Sequence, residues 1–192
     1  VIYEDEDLHT AATLDPQFDV NLKTLEIAFN RTCQLACSYC NPAFSSTWVK
    51  DIRTNGGYQG IKSDARGHFI DDAPYAEPFD QDQFNPYVDA FWRWWPEMYK
   101  TLRVFRMTGG EPLMDKNTFK VMEYVLENPN KDLELSITTN MCPVNQVLFE
   151  RFMTLIKQLD NVEHSAEVYV PPPLTLYLAA FKSPTSVQLP PL

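Results

Sequence analysis

The chain has 192 residues, with 16 Lys and Arg against 26 Asp and Glu, for a formal charge of −10 at pH 7. That length fits one domain with a substantial core. The negative charge argues against a nucleic-acid surface, which needs clustered cations facing phosphates, and no run of eighteen apolar residues reads as a membrane span.

Residues 1–21 open with Glu4, Asp5, Glu6 and Asp7. This start lacks the basic-then-apolar pattern of a signal peptide and reads as an irregular acidic arm. Lys23 to Phe29 carries the apolar run of a first strand, and a loop with Cys33, Cys37 and Cys40 follows it directly. A short helix is predicted from about Ser45-Ser46, with Trp48, Val49 and Ile52 on one face.

Residues 53–83 are rich in Gly, Asp and Pro and read as a long insertion, either a mobile surface loop or a lid over substrate. Asn85-Pro86 then signals a helix start. Val88, Phe91, Trp92 and Trp95 form its apolar face, which suits packing on a sheet better than base stacking. Pro96 interrupts that pattern, predicting a kink or two consecutive helices.

Leu102 to Met107 is the second predicted strand, ending at Gly109-Gly110. Asn117 is placed to cap a helix running to about Glu127, with Phe119, Met122, Val125 and Leu126 inward. Leu133 to Thr138 is the third strand, and Val147 to Leu159 has helical apolar spacing. Val168-Tyr169-Val170 offers the end of a fourth strand. Pro171-Pro172-Pro173 follows at once, so residues 165–192 read as an irregular Pro-rich tail.

Strands alternating with helices predict an α/β fold of parallel βα units, with ligands at the carboxyl ends of the strands. The cysteine loop, Gly109-Gly110-Glu111 and Thr139-Asn140 all follow such ends.

The spacing CxxxCxxC places three thiols on one short loop. Three thiolates can hold three irons of a cubane cluster and leave the fourth open to a small molecule, whereas electron-transfer clusters take four cysteines. The competing readings are zinc, which ordinarily wants a fourth ligand, and buried free thiols. His9, His68 and His164 have no ligand-like spacing to the loop. Four cysteines, three of them this close, do not suit a disulfide framework, so a reducing cytoplasm is expected.

CxxxCxxC after a first strand, with Met107-Thr108-Gly109-Gly110-Glu111-Pro112 downstream, resembles the radical S-adenosylmethionine (SAM) superfamily over roughly residues 22–160. The resemblance implies a partial (β/α) barrel and a [4Fe–4S] cluster on Cys33, Cys37 and Cys40. It also implies SAM bound by Tyr39, Gly109, Gly110 and Glu111, and hydrogen abstraction by a 5′-deoxyadenosyl radical. Thr138, Thr139 and Asn140 are then within reach of SAM or substrate, and turn chemistry explains them equally well. Cys142 reads first as a small buried hydrophobe.

Members of the superfamily carry six βα units, and only three to four are legible here. The core is therefore taken as 22–164, incomplete, in a chain expected to be part of a longer enzyme. A peptide or protein is the first expected substrate and a nucleobase-like small molecule the second. The expected reductant is a flavodoxin or ferredoxin, with no membrane partner and no strong nucleic-acid surface. A catalytically inactive iron–sulfur or zinc-binding fragment is the non-enzyme alternative.

Overall fold

The computed structural model describes residues 6–18, 21–61, 69–70, 83–142, 145–160 and 165–169. Four strands form one sheet in the order β1-β2-β3-β4: β1 (Thr24–Ile27), β2 (Val104–Met107), β3 (Glu134–Thr138) and β4 (Ser165–Tyr169). Every neighbouring pair is parallel. Parallel strands need a crossover between them, supplied by α2 (Ser46–Asn55) and α3 (Pro86–Met98), then α4 (Lys116–Glu127), then α5 (Gln146–Asp160). Sequential order is the winding of a barrel wall, whereas a doubly wound sheet reverses direction partway across. The four described strands stand as an open sheet.

The register explains which face is covered. Leu25, Phe105 and Leu135 align across the first three strands, and Ile27, Met107 and Ile137 align two residues on. With period-two alternation both rows point to one face, and they join one core with Phe91, Trp95, Met98, Phe119, Met122, Phe152 and Leu159 from the helices. Glu26, Arg106 and Ser136 form the opposite row. The uncovered face is therefore polar, unlike the two apolar faces of a sheet sandwiched between helix layers.

Trp95 sits at the centre with no exposure, its ring against Phe105 (4.8 Å between centroids), Phe91 (5.1 Å), Tyr99 (5.3 Å) and Tyr124 (5.8 Å). The aromatic run of α3 thus packs on the sheet. Trp94, on the other side of the helix, is 42% exposed.

Four local expectations need correction. The acidic arm is not irregular throughout, because Glu6–Thr13 forms helix α1, for which Leu8, Ala11 and Ala12 are strong formers. Of the two readings of Pro96, the division into two helices fails, because α3 is one helix from Pro86 to Met98. The proline forgoes one backbone bond, its own to the Trp92 carbonyl, and the helix continues past it, with the Tyr99 N–H reaching the Trp95 carbonyl at 2.8 Å. Asn117 is not the cap of α4. Asp115 is, its carboxylate accepting the Asn117 N–H at 2.7 Å, while Asn117 Oδ1 accepts from Trp92 Nε1 at 2.8 Å and ties α3 to α4. Finally, residues 165–169 of the expected tail are strand β4, paired in register from Glu134↔Ser165 to Thr138↔Tyr169.

Of the 53–83 insertion, 62–68 and 71–82 lie outside the described residues, as does 170–192 of the tail. The described parts of the insertion fold back on α2. Tyr58 N–H donates to the Phe69 carbonyl at 2.7 Å, and the Trp48 ring meets Phe69 (5.1 Å) and Tyr58 (6.0 Å) edge-on.

Candidate metal and cofactor site

Parallel winding brings the ends of β1, β2 and β3 to one edge, and the chain continues from each into a loop or turn carrying the predicted groups. Thr32 carbonyl accepts the Glu111 N–H at 2.8 Å, and Phe44 carbonyl accepts the Gly110 N–H at 3.2 Å. The turn after β2 is therefore bonded directly to the loop after β1.

Gly109 and Gly110 have φ of 75° and 47°, a region where a side chain is strained. A Cβ on Gly109 would lie 2.3 Å from the Ala28 Cβ, and one on Gly110 would lie 2.5 Å from the Thr32 carbonyl oxygen. The space beside the glycines is filled by the chain entering the cysteine loop, so their first service is to seat that loop.

Glu111 is 2% exposed and spends its carboxylate on three donors. Oε1 accepts from Leu113 N–H (3.0 Å) and the Thr139 hydroxyl, and Oε2 accepts from Asn140 N–H (2.7 Å). The side chain is a strut between the β2 turn and the end of β3. Burial pushes its carboxyl above the ordinary value, and the three hydrogen bonds pull it back in part.

Thr139 is also buried, and its oxygen accepts the Met141 N–H at 3.1 Å, holding Met141 at a φ of 53°. A left-handed non-glycine residue costs about 1–2 kcal/mol, so the turn after β3 is kept by its contacts. Thr138 remains in the strand, opposite Tyr169 of β4.

The cysteine loop is stitched to the first turn of α2. Ser45 occupies the N-cap position but makes no capping bond; its hydroxyl donates to the Leu35 carbonyl at 2.7 Å. Ser46 both accepts from Cys33 N–H (3.1 Å) and donates to the Cys33 carbonyl (3.2 Å), which also accepts from the Thr47 hydroxyl at 2.6 Å. Trp48 Nε1 donates to the Cys37 carbonyl at 3.1 Å. Sequence reasoning assigned Ser45 and Ser46 only to a helix start. The run of three hydroxyl residues in 45–47 was the signal available, because one cap needs only one of them.

Cys33, Cys37 and Cys40 are unpaired thiols, each partly buried. Burial is the main cause raising the Cys33 and Cys40 thiols above the ordinary value, and the charges of neighbouring cysteines add to it in both cases. The three are therefore within electrostatic reach of one another. Tyr39 is 59% exposed, but burial of its hydroxyl end, a hydrogen bond with Cys37 and the three thiols push that hydroxyl up to about 12.

Among the described residues no three His, Cys, Asp or Glu side chains gather as the cage of a single ion. A cubane makes a different demand, since each thiolate binds a separate iron and the ligands stand farther apart than around one tetrahedral ion. Three free, partly buried thiols on a loop with its backbone carbonyls already tied down fit that donor set.

Two further residues lie beside Asn140 at the edge of the site. Gln34 Nε2 donates to Asn140 Oδ1 at 3.1 Å and to the Cys142 carbonyl, and its Oε1 is buried without a partner. Cys142 is exposed, contrary to the expectation of a buried hydrophobe. The polar turn after β3 holds it at the surface, its N–H donating to Asn140 Oδ1 at 2.8 Å.

Over 123 residues, or 64% of this chain, the sequence is 28% identical to a GTP 3′,8-cyclase of Desulforamulus reducens, and the match spans 28% of that protein's length. No family profile matches the chain, and no solved structure matches it. No described helix is long and apolar enough to cross a membrane.

Proposed function

We propose that this chain carries the cluster- and SAM-binding part of a radical SAM enzyme. One observation carries the reading: the CxxxCxxC loop, the Gly109-Gly110-Glu111 turn and the Thr139-Asn140 turn sit at successive carboxyl ends of one parallel sheet and are hydrogen-bonded to one another. The partial, distant likeness to GTP 3′,8-cyclase supports the superfamily.

Cys33, Cys37 and Cys40 would hold a [4Fe–4S] cluster, which when bound supplies the electron that cleaves SAM and so starts hydrogen abstraction from substrate. The chain's own contribution is geometric. Ser45, Ser46, Thr47 and Trp48 fix the carbonyls of the cysteine loop, and the paired glycines let that loop lie against the β2 turn. Tyr39, exposed on the loop, and the Gly109-Gly110 turn, through groups other than the Gly110 N–H that the Phe44 carbonyl already accepts, would contact SAM. Glu111 acts through the strand ends that it joins, and Asn140 lies beside Cys33.

A peptide or protein and a nucleobase-like small molecule are the two substrate classes under this reading, and the name of the relative speaks for the second. A flavodoxin or ferredoxin is the proposed reductant. The test is anaerobic iron–sulfur reconstitution, then electron paramagnetic resonance of the reduced protein with and without SAM. A reduced [4Fe–4S] signal that changes with SAM and is lost in Cys37→Ala is expected. A cluster blind to SAM would reduce the chain to an iron–sulfur protein, and zinc bound in place of iron would overturn the reading.

A further inference from the structure

Cys33 is reached by a donor from another strand end. Its sulfur accepts from the Leu35 N–H of its own loop at 3.4 Å, and the side-chain amide nitrogen of Asn140 stands 3.9 Å away, 107 positions along the chain. The orientation of that amide is fixed by its oxygen, which accepts from Cys142 N–H at 2.8 Å and Gln34 Nε2 at 3.1 Å. Two donors at Oδ1 leave the NH2 end facing Cys33. Asn140 is 7% exposed, and its own N–H is bound by Glu111 at 2.7 Å, so the side chain is both buried and anchored.

Resting on the radical SAM reading above, we infer that Asn140 is a positioning residue for the cluster: it donates a hydrogen bond to the Cys33 thiolate and raises the reduction potential of the bound iron–sulfur centre. A thiolate ligand carries negative charge, and an N–H aimed at it makes a charge-assisted bond. One-electron reduction adds negative charge to the cluster, so the donor stabilises the reduced form more than the oxidised one. Hydrogen bonds to cluster sulfurs and other outer contacts tune potentials in this way. The bond is specific to Cys33, so its effect falls on one corner of the cluster.

The test is a mediated dithionite titration of the full chain after anaerobic reconstitution, with iron counted first. Wild type is compared with Asn140→Ser, Asn140→Ala and Gln34→Ala. Serine keeps an oxygen for the Cys142 N–H but cannot reach Cys33, whereas Gln34→Ala leaves the Asn140 amide intact and still anchored by Cys142. The midpoint should move to more negative potential in both Asn140 variants, at unchanged iron content, and stay at the wild-type value in Gln34→Ala. Equal midpoints in wild type and Asn140→Ser would overturn the assignment, as would an equal shift in Gln34→Ala, which would mark a merely structural role. Failure of the wild-type chain to take up iron would instead overturn the reading beneath it.

Discussion

The Glu111 carboxylate accepts the backbone N–H of Asn140 at 2.7 Å across 29 positions of chain, joining the turn after β2 to the end of β3. The same Asn140 faces Cys33, and the N–H of the same Glu111 is bound by Thr32 in the approach to the cysteine loop. One residue therefore joins all three strand ends, through its carboxylate to the end of β3 and through its N–H to the loop after β1. The family resemblance implies a SAM contact for Glu111; the structure shows its carboxylate bonded to Leu113, Thr139 and Asn140.

Glu111→Ala should lower unfolding stability by about 3–5 kcal/mol. The loss leaves the Leu113 and Asn140 N–H groups and the Thr139 hydroxyl without their acceptor, and each buried orphan costs about 1–3 kcal/mol, less what local relaxation recovers. Urea unfolding of the metal-free chain measures it. A loss below about 1 kcal/mol would show that these donors find other partners.

The pH dependence follows from the direction of the same shift. Burial raises the Glu111 carboxyl above its ordinary 4.5, so the folded chain holds this proton more tightly than the unfolded chain. The stability it contributes is complete below about pH 4.5 and is lost as pH rises through the higher folded value. Glu111→Gln does not titrate. The stability of wild type minus that of Glu111→Gln should therefore shrink as pH is raised from roughly 4 to 7. A difference that grows instead would mean that the three donors outweigh burial.

The sequence showed the strand ends because parallel βα units leave a strong pattern: Lys23 to Phe29, Leu102 to Met107 and Leu133 to Thr138 all contain observed strands. It showed the cysteine loop because the thiol spacing is local. It could not show that Ser45 turns its hydroxyl away from the helix it begins, since that depends on where Leu35 lies. Nor could it choose Asp115 over Asn117 as cap, because the Trp92 indole that occupies Asn117 arrives from another helix. Of strand β4 the sequence showed only the end, at Val168-Tyr169, because its start at Ser165 is set by long-range pairing with β3 and not by a local pattern.

Gly110→Ala should be among the most damaging small substitutions. It combines a left-handed backbone, worth about 1–2 kcal/mol, with a Cβ 2.5 Å from the Thr32 oxygen and 2.7 Å from the Arg31 carbonyl carbon. Backbone must move, and overpacking of this kind costs about 1–3 kcal/mol more. Thermal unfolding should show the loss, and iron uptake on reconstitution should fall with it. Gly60→Ala is the control, since nothing lies within 4 Å of its added methyl, and its effect should stay within about 0.5 kcal/mol.

Trp48→Phe separates the two duties of that side chain. The indole N–H donates to the Cys37 carbonyl at 3.1 Å, and the ring packs edge-on against Phe69 and Tyr58 from the long insertion. Phenylalanine keeps a ring for the insertion and removes the donor to the loop. The Cys37 carbonyl also accepts the Cys40 N–H at 3.0 Å, closing the turn between those two cysteines. Losing a neutral hydrogen bond costs about 1 kcal/mol, so local opening of that turn should rise about fivefold, and hydrogen exchange at the Cys40 amide of the metal-free chain should speed up by that factor. Exchange at Tyr58, whose N–H is bound by Phe69, should not change. If both sites accelerate together, the indole acts by packing and the insertion and the cysteine loop are one cooperative unit; if neither does, the turn is held by Ser45, Ser46 and Thr47 alone.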